Sequence, residues 1–401
     1  MHGLATELAR RHEVAIFCGE DDPAHPPEAD ETWEGLRLRR ICVGPAAGAG
    51  LYQRAVARFH NPKAEQAFER FLATFRPDVV HVHHLFKLSG GLIAIARRHG
   101  VRVVVTLHDY WFICDNAQLL YGSRVPCRGP RGGLHCAFCM SVEAGSSWQR
   151  HLAILGVPLY LQRARYLRQA LSTADRVIAP SRYVRDRLRS AGIPLEHCQV
   201  LYSGTADGWL SDRPRAGRHD LLRLGYLGTI APHKGVDLLL RAFLRLPAGR
   251  AELHIHGDAH ACPDYLKQLQ EMAGGAAVRF HGAYDRSSLA QVLANLDLVV
   301  VPSIWPENAP ATIQEALMAG VPVLAADTGG LPEFVAHEES GLLFRAGDVD
   351  ALEAALRRPL GEPELIARWA RAINPPKTMR QYVSEVERIY EETCLLPAAV
   401  L

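Results

Sequence analysis

Short apolar runs alternate with longer amphipathic segments along almost the whole of this 401-residue chain. Such an alternation predicts parallel β-sheets flanked by helices, which is an α/β fold. The predicted strands are residues 13–18, 36–43, 79–82, 101–107 and 176–179 in the first half, and 223–227, 251–256, 278–281, 298–302, 321–325 and 342–344 in the second. Helices are predicted between them, in the first half at residues 62–75, 91–99, 148–172 and 182–190.

The alternation is interrupted by the polar stretch of residues 203–219, which contains Gly and Pro and which we interpret as an interdomain linker. We therefore expect one Rossmann-like domain at residues 1–205 and a second at residues 206–374. The double proline at 375 and 376 ends the preceding helix, and a final helix is expected within residues 375–401. Ligands of such sheets bind at the carboxyl ends of the strands.

Charge is unevenly distributed, although the formal net charge is only +2. Residues 1–205 contain 26 Lys and Arg against 18 Asp and Glu, whereas residues 206–401 contain 19 against 25. The basic half could face anionic lipid or an anionic acceptor, and a solvated Arg-rich surface explains the excess equally well. No apolar run approaches the ~20 residues that span a bilayer, and no secretory signal is visible. We expect a cytoplasmic protein, with peripheral contact at the inner membrane surface as an option, and no nucleic-acid partner.

Two glutamates, Glu307 and Glu315, are separated by seven residues. The first follows the predicted buried strand 298–302, and the second falls inside the helix predicted after it. Pro310 suits the first position of that helix, and Asn308 lies where a capping residue is expected. The helix N-terminus between the glutamates carries free N–H groups and the positive end of a dipole. This arrangement favours a ligand with a phosphate between two hydroxyl-bearing groups, such as a nucleotide sugar.

The segment resembles the Glu-x7-Glu signature of retaining glycosyltransferase family 4, and the resemblance continues through Glu315–Val323, Gly329–Val335 and Ser340–Phe344. It extends over nearly the whole chain, although the family often has Gly where this chain has Pro310. It implies the GT-B fold, with two Rossmann-like domains, a cleft between them and a C-terminal crossover helix. It also implies metal-independent transfer of a sugar from a nucleotide-diphosphate sugar to an acceptor hydroxyl. The expected acceptor is a glycan or a lipid-linked glycan, in surface polysaccharide or glycoconjugate synthesis.

The resemblance also assigns roles to single residues. Glu307 would bind the sugar hydroxyls of the donor, Glu315 would bind the ribose, and backbone N–H groups near Ala311 and Thr312 would hold phosphate. The expected catalytic residues are His108 and Glu307. The expected donor-binding residues are Gly228, Thr229, Lys234, Asn308, Ala309, Pro310, Ala311, Thr312 and Glu315.

Lys234 lies in the segment Gly225–Gly235, which matches the strand–loop–Lys-Gly motif of the family. A Lys in that loop can neutralise the diphosphate leaving group. The family usually has an Arg directly after the glycine of the loop, where this chain has Thr229. Thr229 can supply a hydrogen bond but no charge, so His233 or an Arg elsewhere would have to compensate.

His108 follows the predicted strand 101–107, and it matches the functional His of a His-Asp-type motif in the family. A hydrogen bond from it would orient the donor sugar and stabilise charge as the phosphate leaves. A core His bonded to the backbone is the alternative. Three more histidines lie at the end of the predicted strand 79–82: His81, His83 and His84. We favour structural or acceptor-loop roles for them over metal binding.

Nine cysteines in a large chain without an export signal are expected to be reduced thiols. Four of them lie in one stretch that is rich in Gly, Pro and Arg: Cys114, Cys127, Cys136 and Cys139. Only the last pair has the Cys-x2-Cys spacing of a structural zinc site. The alternatives are one structural zinc ion and four free thiols in a packed loop.

The first residues resemble the first helix of the family rather than its first strand. The strand and glycine-rich loop that precede this helix in the family are missing, so we expect a truncated start or an impaired protein. The missing strand and the absent Arg keep open a noncatalytic relative that binds a nucleotide or glycan. A second alternative is a nucleotide-sugar epimerase of the same architecture. The Glu-x7-Glu segment argues against the epimerase.

Overall fold

A computed structural model describes residues 2–22, 26–44, 48, 50–121, 125–143, 153–206, 208 and 221–397. The chain divides into two units. The first comprises Met1–Ser123, Cys127–Tyr202 and Met379–Leu401, and the second comprises Arg124–Pro126 and Ser203–Thr378. The divisions thus fall after Tyr202 and Thr378, compared with the predicted divisions after residues 205 and 374.

The secondary structure alternates throughout. Up to residue 206 the elements are α1 (His2–Leu8), β1 (Ala15–Glu20), β2 (Glu28–Trp33), β3 (Leu36–Cys42), α2 (Leu51–Ala57), α3 (Pro62–Phe75), β4 (Val79–Val82), α4 (Gly91–Arg98), β5 (Arg102–Thr106), β6 (Leu120–Tyr121), β7 (Val125–Pro126), α5 (Leu134–Glu143), α6 (Val157–Ser172), β8 (Arg176–Ala179), α7 (Arg182–Ser190) and β9 (Cys198–Val200). After residue 220 they are β10 (Leu222–Leu227), α8 (Val236–Phe243), β11 (Ala251–His256), α9 (Pro263–Ala273), β12 (Val278–Gly282), α10 (Leu289–Ala294), β13 (Leu298–Val301), α11 (Ala311–Met318), β14 (Val323–Asp327), β15 (Gly341–Arg345), α12 (Val349–Gly361), α13 (Leu365–Ala372) and α14 (Met379–Cys394).

Every predicted strand is present, with its ends displaced by at most two residues. Predicted helices 62–75 and 182–190 have the observed ends, and the helix predicted from residue 148 begins at Val157 after one 3₁₀ turn. Residues 148–152 of that prediction, and most of the predicted linker, lie outside the described residues.

In the first unit, four parallel strands form a sheet in the order β4-β5-β8-β9. Helix α14 belongs to this unit and packs with α1 and β5. Its buried side chains Val383, Val386 and Ile389 form one apolar cluster with Leu4 and Val104. The last helix of the chain therefore covers the sheet that carries the histidine group.

A second sheet of the first unit has the order β1-β3-β2, with β1 parallel and β2 antiparallel to β3. Sequence patterns did not predict β2, because acidic residues are poor strand formers. Its carboxylates pair with arginines across the strands: Arg39 lies 2.6 Å from Asp30 and 2.9 Å from Glu28. Opposite charges on facing strands stabilise a sheet, and here they compensate for the low strand propensity.

The second unit contains a six-stranded parallel sheet in the order β12-β11-β10-β13-β14-β15. The central strand β13 is buried along its whole length, which explains its continuous apolar sequence. The chain builds outward from β10 through β11 to β12 and then returns to the other side of β10 with β13. The order therefore reverses between β10 and β13, where ligands of open α/β sheets usually bind.

Candidate active site

The loops that follow β10 and β13 are joined by backbone hydrogen bonds at this reversal point. The N–H groups of Ile304 and Trp305 donate to the carbonyl of His233 at 3.1 and 3.2 Å. Gly235 has φ 71°, and a Cβ atom placed there would lie 2.1 Å from the carbonyl oxygen of Pro302. Only glycine combines this left-handed conformation with such a close approach, so Gly235 fixes the position of the preceding Lys234.

Lys234 and Glu307 form an ion pair between the two loops. The Lys234 Nζ atom lies 2.6 Å from Oε1 of Glu307, whose side chain is only 9% exposed. The same ammonium group lies 4.8 Å from the centre of the Trp305 ring. The two side chains that the sequence assigned to the donor sugar and the diphosphate are therefore in direct contact in this structure.

Two glycines hold the backbone of Glu307 in place. The N–H of Gly330 donates to the Glu307 carbonyl at 2.6 Å. A Cβ atom at Gly329, where φ is 62°, would lie 2.5 Å from the backbone nitrogen of Glu307. Glycine permits such a close approach, and the backbone that approaches these two residues is the loop of Glu307.

Helix α11 begins one residue later than the sequence predicted. Pro310 has φ −71° and ψ 117°, so it lies at the N-cap position in an extended conformation, before the first helical residue Ala311. Asn308 is therefore not the cap, because the contacts of the preceding loop with Gly329 and Gly330 keep the chain extended up to Pro310. The first N–H groups of α11 have no carbonyl partner within the helix. The hydroxyl of Thr312 donates to the Leu227 carbonyl at 3.3 Å and ties this end to β10.

Glu315 lies one turn further along α11 and is partly buried. Burial raises the pKa of its carboxyl group, and Arg286 opposes that shift. Tyr284 is close enough that its pKa, raised to about 12 mainly by burial, is raised further by Glu315. Tyr284 was not predicted as a site residue, although an aromatic residue two positions beyond a parallel strand is a usable signal.

The ring of His233, in the loop that contains Thr229, is neutral in this structure. Burial, together with the neighbouring Lys234, lowers the pKa of His233 to about 4, so the ring is neutral at pH 7. Thr229 itself is exposed, and its carbonyl accepts a 2.7 Å hydrogen bond from the Tyr226 hydroxyl. His233 therefore contributes no charge to this loop before the donor binds, and compensation for the missing Arg by His233 or by another Arg stays a prediction.

In the first unit, His108 lies beyond the end of β5 and contacts a second histidine. Its Nε2 lies 2.8 Å from Nδ1 of His83, and the two rings stack with centres 5.1 Å apart. The surrounding protein lowers the pKa of His108 to about 4, although part of its side chain is open to solvent. His108 is thus a neutral ring at pH 7. Its role toward a donor sugar stays a prediction.

His81 has a structural environment. Its Nδ1 lies 2.6 Å from the hydroxyl of Tyr390 on α14, and its Nε2 lies 2.7 Å from the hydroxyl of Thr106 on β5. Burial, with a further effect of His108, lowers its pKa to about 3. His84 instead faces Asp109, at 3.0 Å between Nδ1 and Oδ2. The three histidines of this segment therefore have separate partners rather than one shared ligand.

The cysteine stretch does not show zinc geometry. Among the described residues, these thiols contribute to no group of three or more ligand atoms within 4.8 Å of one another. Cys114 instead donates to Asn116 Oδ1 at 2.7 Å, and Cys139 donates to the Leu120 carbonyl at 3.6 Å. Burial raises the pKa of Cys114 to about 11 and that of Cys136 to about 12. One structural zinc ion and four free thiols stay the two alternatives for Cys114, Cys127, Cys136 and Cys139.

The fold and these loops define a glycosyltransferase of the GT-B type. The sequence profile described as Glycosyltransferase Family 4 matches residues 1–207, and that described as Glycosyl transferases group 1 matches residues 212–374. A D-inositol 3-phosphate glycosyltransferase of Streptomyces avermitilis is 34% identical over 93% of this chain and 78% of the relative. The chain belongs to glycosyltransferase family 4.

Solved structures agree on the fold. A sucrose-phosphate synthase from Thermosynechococcus elongatus superimposes with a TM-score of 0.70 at 21% identity, covering 98% of this chain and 91% of that one. Anabaena HepE, solved in complex with UDP and glucose, gives a TM-score of 0.63 at 18% identity, covering 95% and 100%. In the part of the chain that the structure describes, no helix is both long and apolar enough to cross a membrane.

Proposed function

We propose that this chain transfers a sugar from a nucleotide-diphosphate sugar to an acceptor hydroxyl with retention of anomeric configuration. The observation that carries the proposal is the 2.6 Å contact between Lys234 and Glu307 at the reversal point of the sheet. The N-terminus of α11 follows Glu307 by four residues and supplies free N–H groups beside this pair. A cation, a carboxylate and a helix N-terminus together match a diphosphate joined to a polyhydroxyl group.

Each group then has a distinct task. The ammonium of Lys234 and the N–H groups of Ala311 and Thr312 bind the negatively charged diphosphate. The carboxylate of Glu307 accepts hydrogen bonds from sugar hydroxyls, and the carboxyl group of Glu315 binds the ribose. Lys234 orients Glu307, and Gly235 and Gly329 hold both loops in place. A site that is organised before the donor binds has little reorganisation to undergo during the reaction.

The proposed step breaks the bond between the anomeric carbon and the phosphate oxygen of the donor. The electron pair of that bond leaves with the nucleoside diphosphate. The acceptor oxygen attacks from the same face and forms the new glycosidic bond, and its proton moves to the departing phosphate oxygen. With Thr229 and a neutral His233 in the loop, Lys234 is the cation of this segment that stabilises the leaving group.

A first experiment is calorimetric titration of the full chain with UDP, GDP and ADP, of which UDP is the first choice because HepE binds it. We expect one diphosphate to bind clearly more tightly than the others. Glu315→Ala should weaken that binding about tenfold, because a ribose contact is lost. Glu339→Ala removes an exposed carboxylate of the same unit and is the matched control. Failure of all three diphosphates to bind would refute the donor site.

Product analysis separates the proposed transferase from its rivals. A transferase releases nucleoside diphosphate from the donor, slowly even without acceptor, whereas an epimerase returns a nucleotide sugar and a noncatalytic binder returns the donor unchanged. Candidate acceptors are free glycans and lipid-linked glycans, as expected for surface polysaccharide or glycoconjugate synthesis. The anomeric configuration of the product, read by NMR, tests retention, and an inverted product would exclude the proposed front-face step.

A further inference from the structure

Three histidines outside the proposed donor contacts meet on the edge of the second unit's sheet. His254 and His256 are two residues apart on β11, so both side chains point to the same face of the sheet. His281 lies on the adjacent edge strand β12. A register shift between Ile255 and His256 places His256 opposite Gly282 and leaves His281 between the two β11 histidines.

The rings are arranged closely enough to share one ion. Nδ1 of His254 lies 3.0 Å from Nε2 of His281, and the rings of His256 and His281 stack with centres 4.2 Å apart. Each of the three histidines offers one nitrogen, and these three nitrogens all lie within 4.8 Å of one another. Among the described residues, no other group of three or more His, Cys, Asp or Glu side chains is this close. Two nitrogens bound tetrahedrally to zinc at about 2.05 Å are about 3.3 Å apart, which is close to the spacing of His254 and His281. The stacked ring of His256 must turn so that its nitrogen points to the same ion.

The carboxylate of Glu252 lies next to the ring of His254. Nε2 of His254 lies 3.1 Å from Oε1 of Glu252, and the other oxygen of Glu252 lies 3.5 Å from Arg279. The contact lacks hydrogen-bond geometry in this structure, so the carboxylate acts on His254 through its charge, which favours a proton on Nε2 and leaves Nδ1 for an ion. Metal-binding histidines commonly have such a carboxylate on the nitrogen that does not bind the ion.

The access also suits a ligand set. His281 is exposed, so an ion can enter from solvent.

We propose that His254, His256 and His281 bind one divalent transition metal ion of the zinc type, with water in the fourth position. Three imidazoles with an open position are a known zinc arrangement, and the borderline-soft ligand set disfavours Mg²⁺ and Ca²⁺. The ion clamps the edge strand β12 to β11. The site adjoins the donor loop, because the N–H of Gly228 donates to the His256 carbonyl at 3.0 Å and the rings of His256 and Tyr284 have centres 6.2 Å apart. Metal binding is measured here without donor or acceptor, so its presence or absence does not decide the proposed function.

Cobalt is the probe, because Co²⁺ replaces zinc and absorbs visible light according to its ligands. The full chain is stripped with a chelator and titrated with Co²⁺ alone. We expect one equivalent to give the visible bands of a nitrogen- and oxygen-bound ion without a thiolate charge-transfer band. His281→Gln should weaken Co²⁺ binding tenfold or more, and Glu252→Gln about 10- to 100-fold. His197→Gln changes an exposed histidine of the first unit and should bind as the original chain does.

Thermal unfolding gives a second readout, because an ion that binds only the folded chain raises Tm. Zinc should raise the Tm of the original chain and of His197→Gln, and it should leave His281→Gln unchanged. The proposal is overturned if no visible cobalt bands form, or if they persist unchanged in His281→Gln. A thiolate band that disappears in Cys136→Ser would also overturn it and would place the ion at the cysteine stretch.

Discussion

The two units use opposite chemistry at the carboxyl ends of their parallel strands. In the second unit, Lys234 and Glu307 form a charged pair at 2.6 Å. In the first unit, His81, His83 and His108 form a chain of neutral rings, with low pKa values caused mainly by burial. Burying a charge is favourable only when it has a partner, whereas a neutral imidazole needs only hydrogen bonds.

The difference shows which unit can respond to a charged ligand. A diphosphate that reaches Lys234 meets a cation whose existing partner is already a carboxylate, so binding redistributes charge within a prepared pair. The histidine chain carries no charge at pH 7 and offers hydrogen bonds alone. We therefore expect substitutions at the ion pair to have large effects on donor chemistry, and substitutions in the histidine chain to act through hydrogen bonding and pH.

The largest effect is expected for Glu307→Gln. Glutamine keeps the shape of the side chain but removes the charge that pairs with Lys234 and that accepts hydrogen bonds from the sugar. We expect kcat/KM for transfer to fall about 10²- to 10³-fold, the size of loss seen when one preorganised electrostatic contact is removed. Circular dichroism should show an unchanged fold. Glu339→Gln is the control, and normal transfer by Glu307→Gln would remove Glu307 from the active site.

A smaller loss, about 10²-fold, is expected for His108→Ala, because one neutral hydrogen-bonding group is removed. Since the pKa of His108 is about 4, transfer by the original chain should not depend on this ring between pH 5.5 and 8. His197→Ala, at an exposed position of the same unit, should transfer normally. If His108→Ala matches that control, His108 has no part in transfer and the neutral chain is purely structural.

How far the sequence predicts this molecule differs between its elements. Buried strands such as β13 are predictable, because a parallel strand covered on both faces must be apolar throughout. The acidic strand β2 was not predictable, since its stability depends on Arg39 and Arg40 of another strand. The position of Glu307 was predicted from its motif, but its pairing with Lys234 requires two loops that lie 73 residues apart in the chain to meet.

Two further features depend on geometry that a sequence does not contain. The neutrality of His233 follows from burial beside Lys234, which appears only when the loops are folded. The grouping of His281 with His254 and His256 depends on a register shift between β11 and β12. The sequence motifs therefore predict where the candidate site lies, whereas its charge states depend on the folded structure.

The third prediction concerns the close packing of the loop that carries Lys234. Gly235 and Gly249 have nearly the same φ, 71° and 72°, but a Cβ atom at Gly235 would strike the Pro302 carbonyl, whereas nothing lies within 4 Å at Gly249. Gly249→Ala should therefore lower the unfolding free energy by only about 1 kcal/mol, which is the cost of holding alanine in the left-handed conformation. Gly235→Ala should cost about 3 kcal/mol, because the loop must also move. Urea unfolding of both variants measures the difference, and equal losses would show that the close contact is unimportant.

The smallest effect concerns the neutral histidine chain and pH. The folded-state pKa of His81 is about 3, below the roughly 6.5 of an unfolded histidine, so its contribution is complete above pH 6.5 and is lost as pH falls toward 3. At pH 5 the loss relative to pH 7 should be about 1 to 2 kcal/mol of unfolding free energy. His81→Gln still bonds to the Tyr390 and Thr106 hydroxyls but does not titrate, so its stability should change less between these two pH values. His197→Gln should keep the original pH dependence, because that exposed ring is not part of the chain of neutral histidines. If the unfolding free energy of His81→Gln depends on pH as that of the original chain does, the His81 ring accepts a proton in the folded state. The contrast between a neutral first unit and a charged second unit would then not hold.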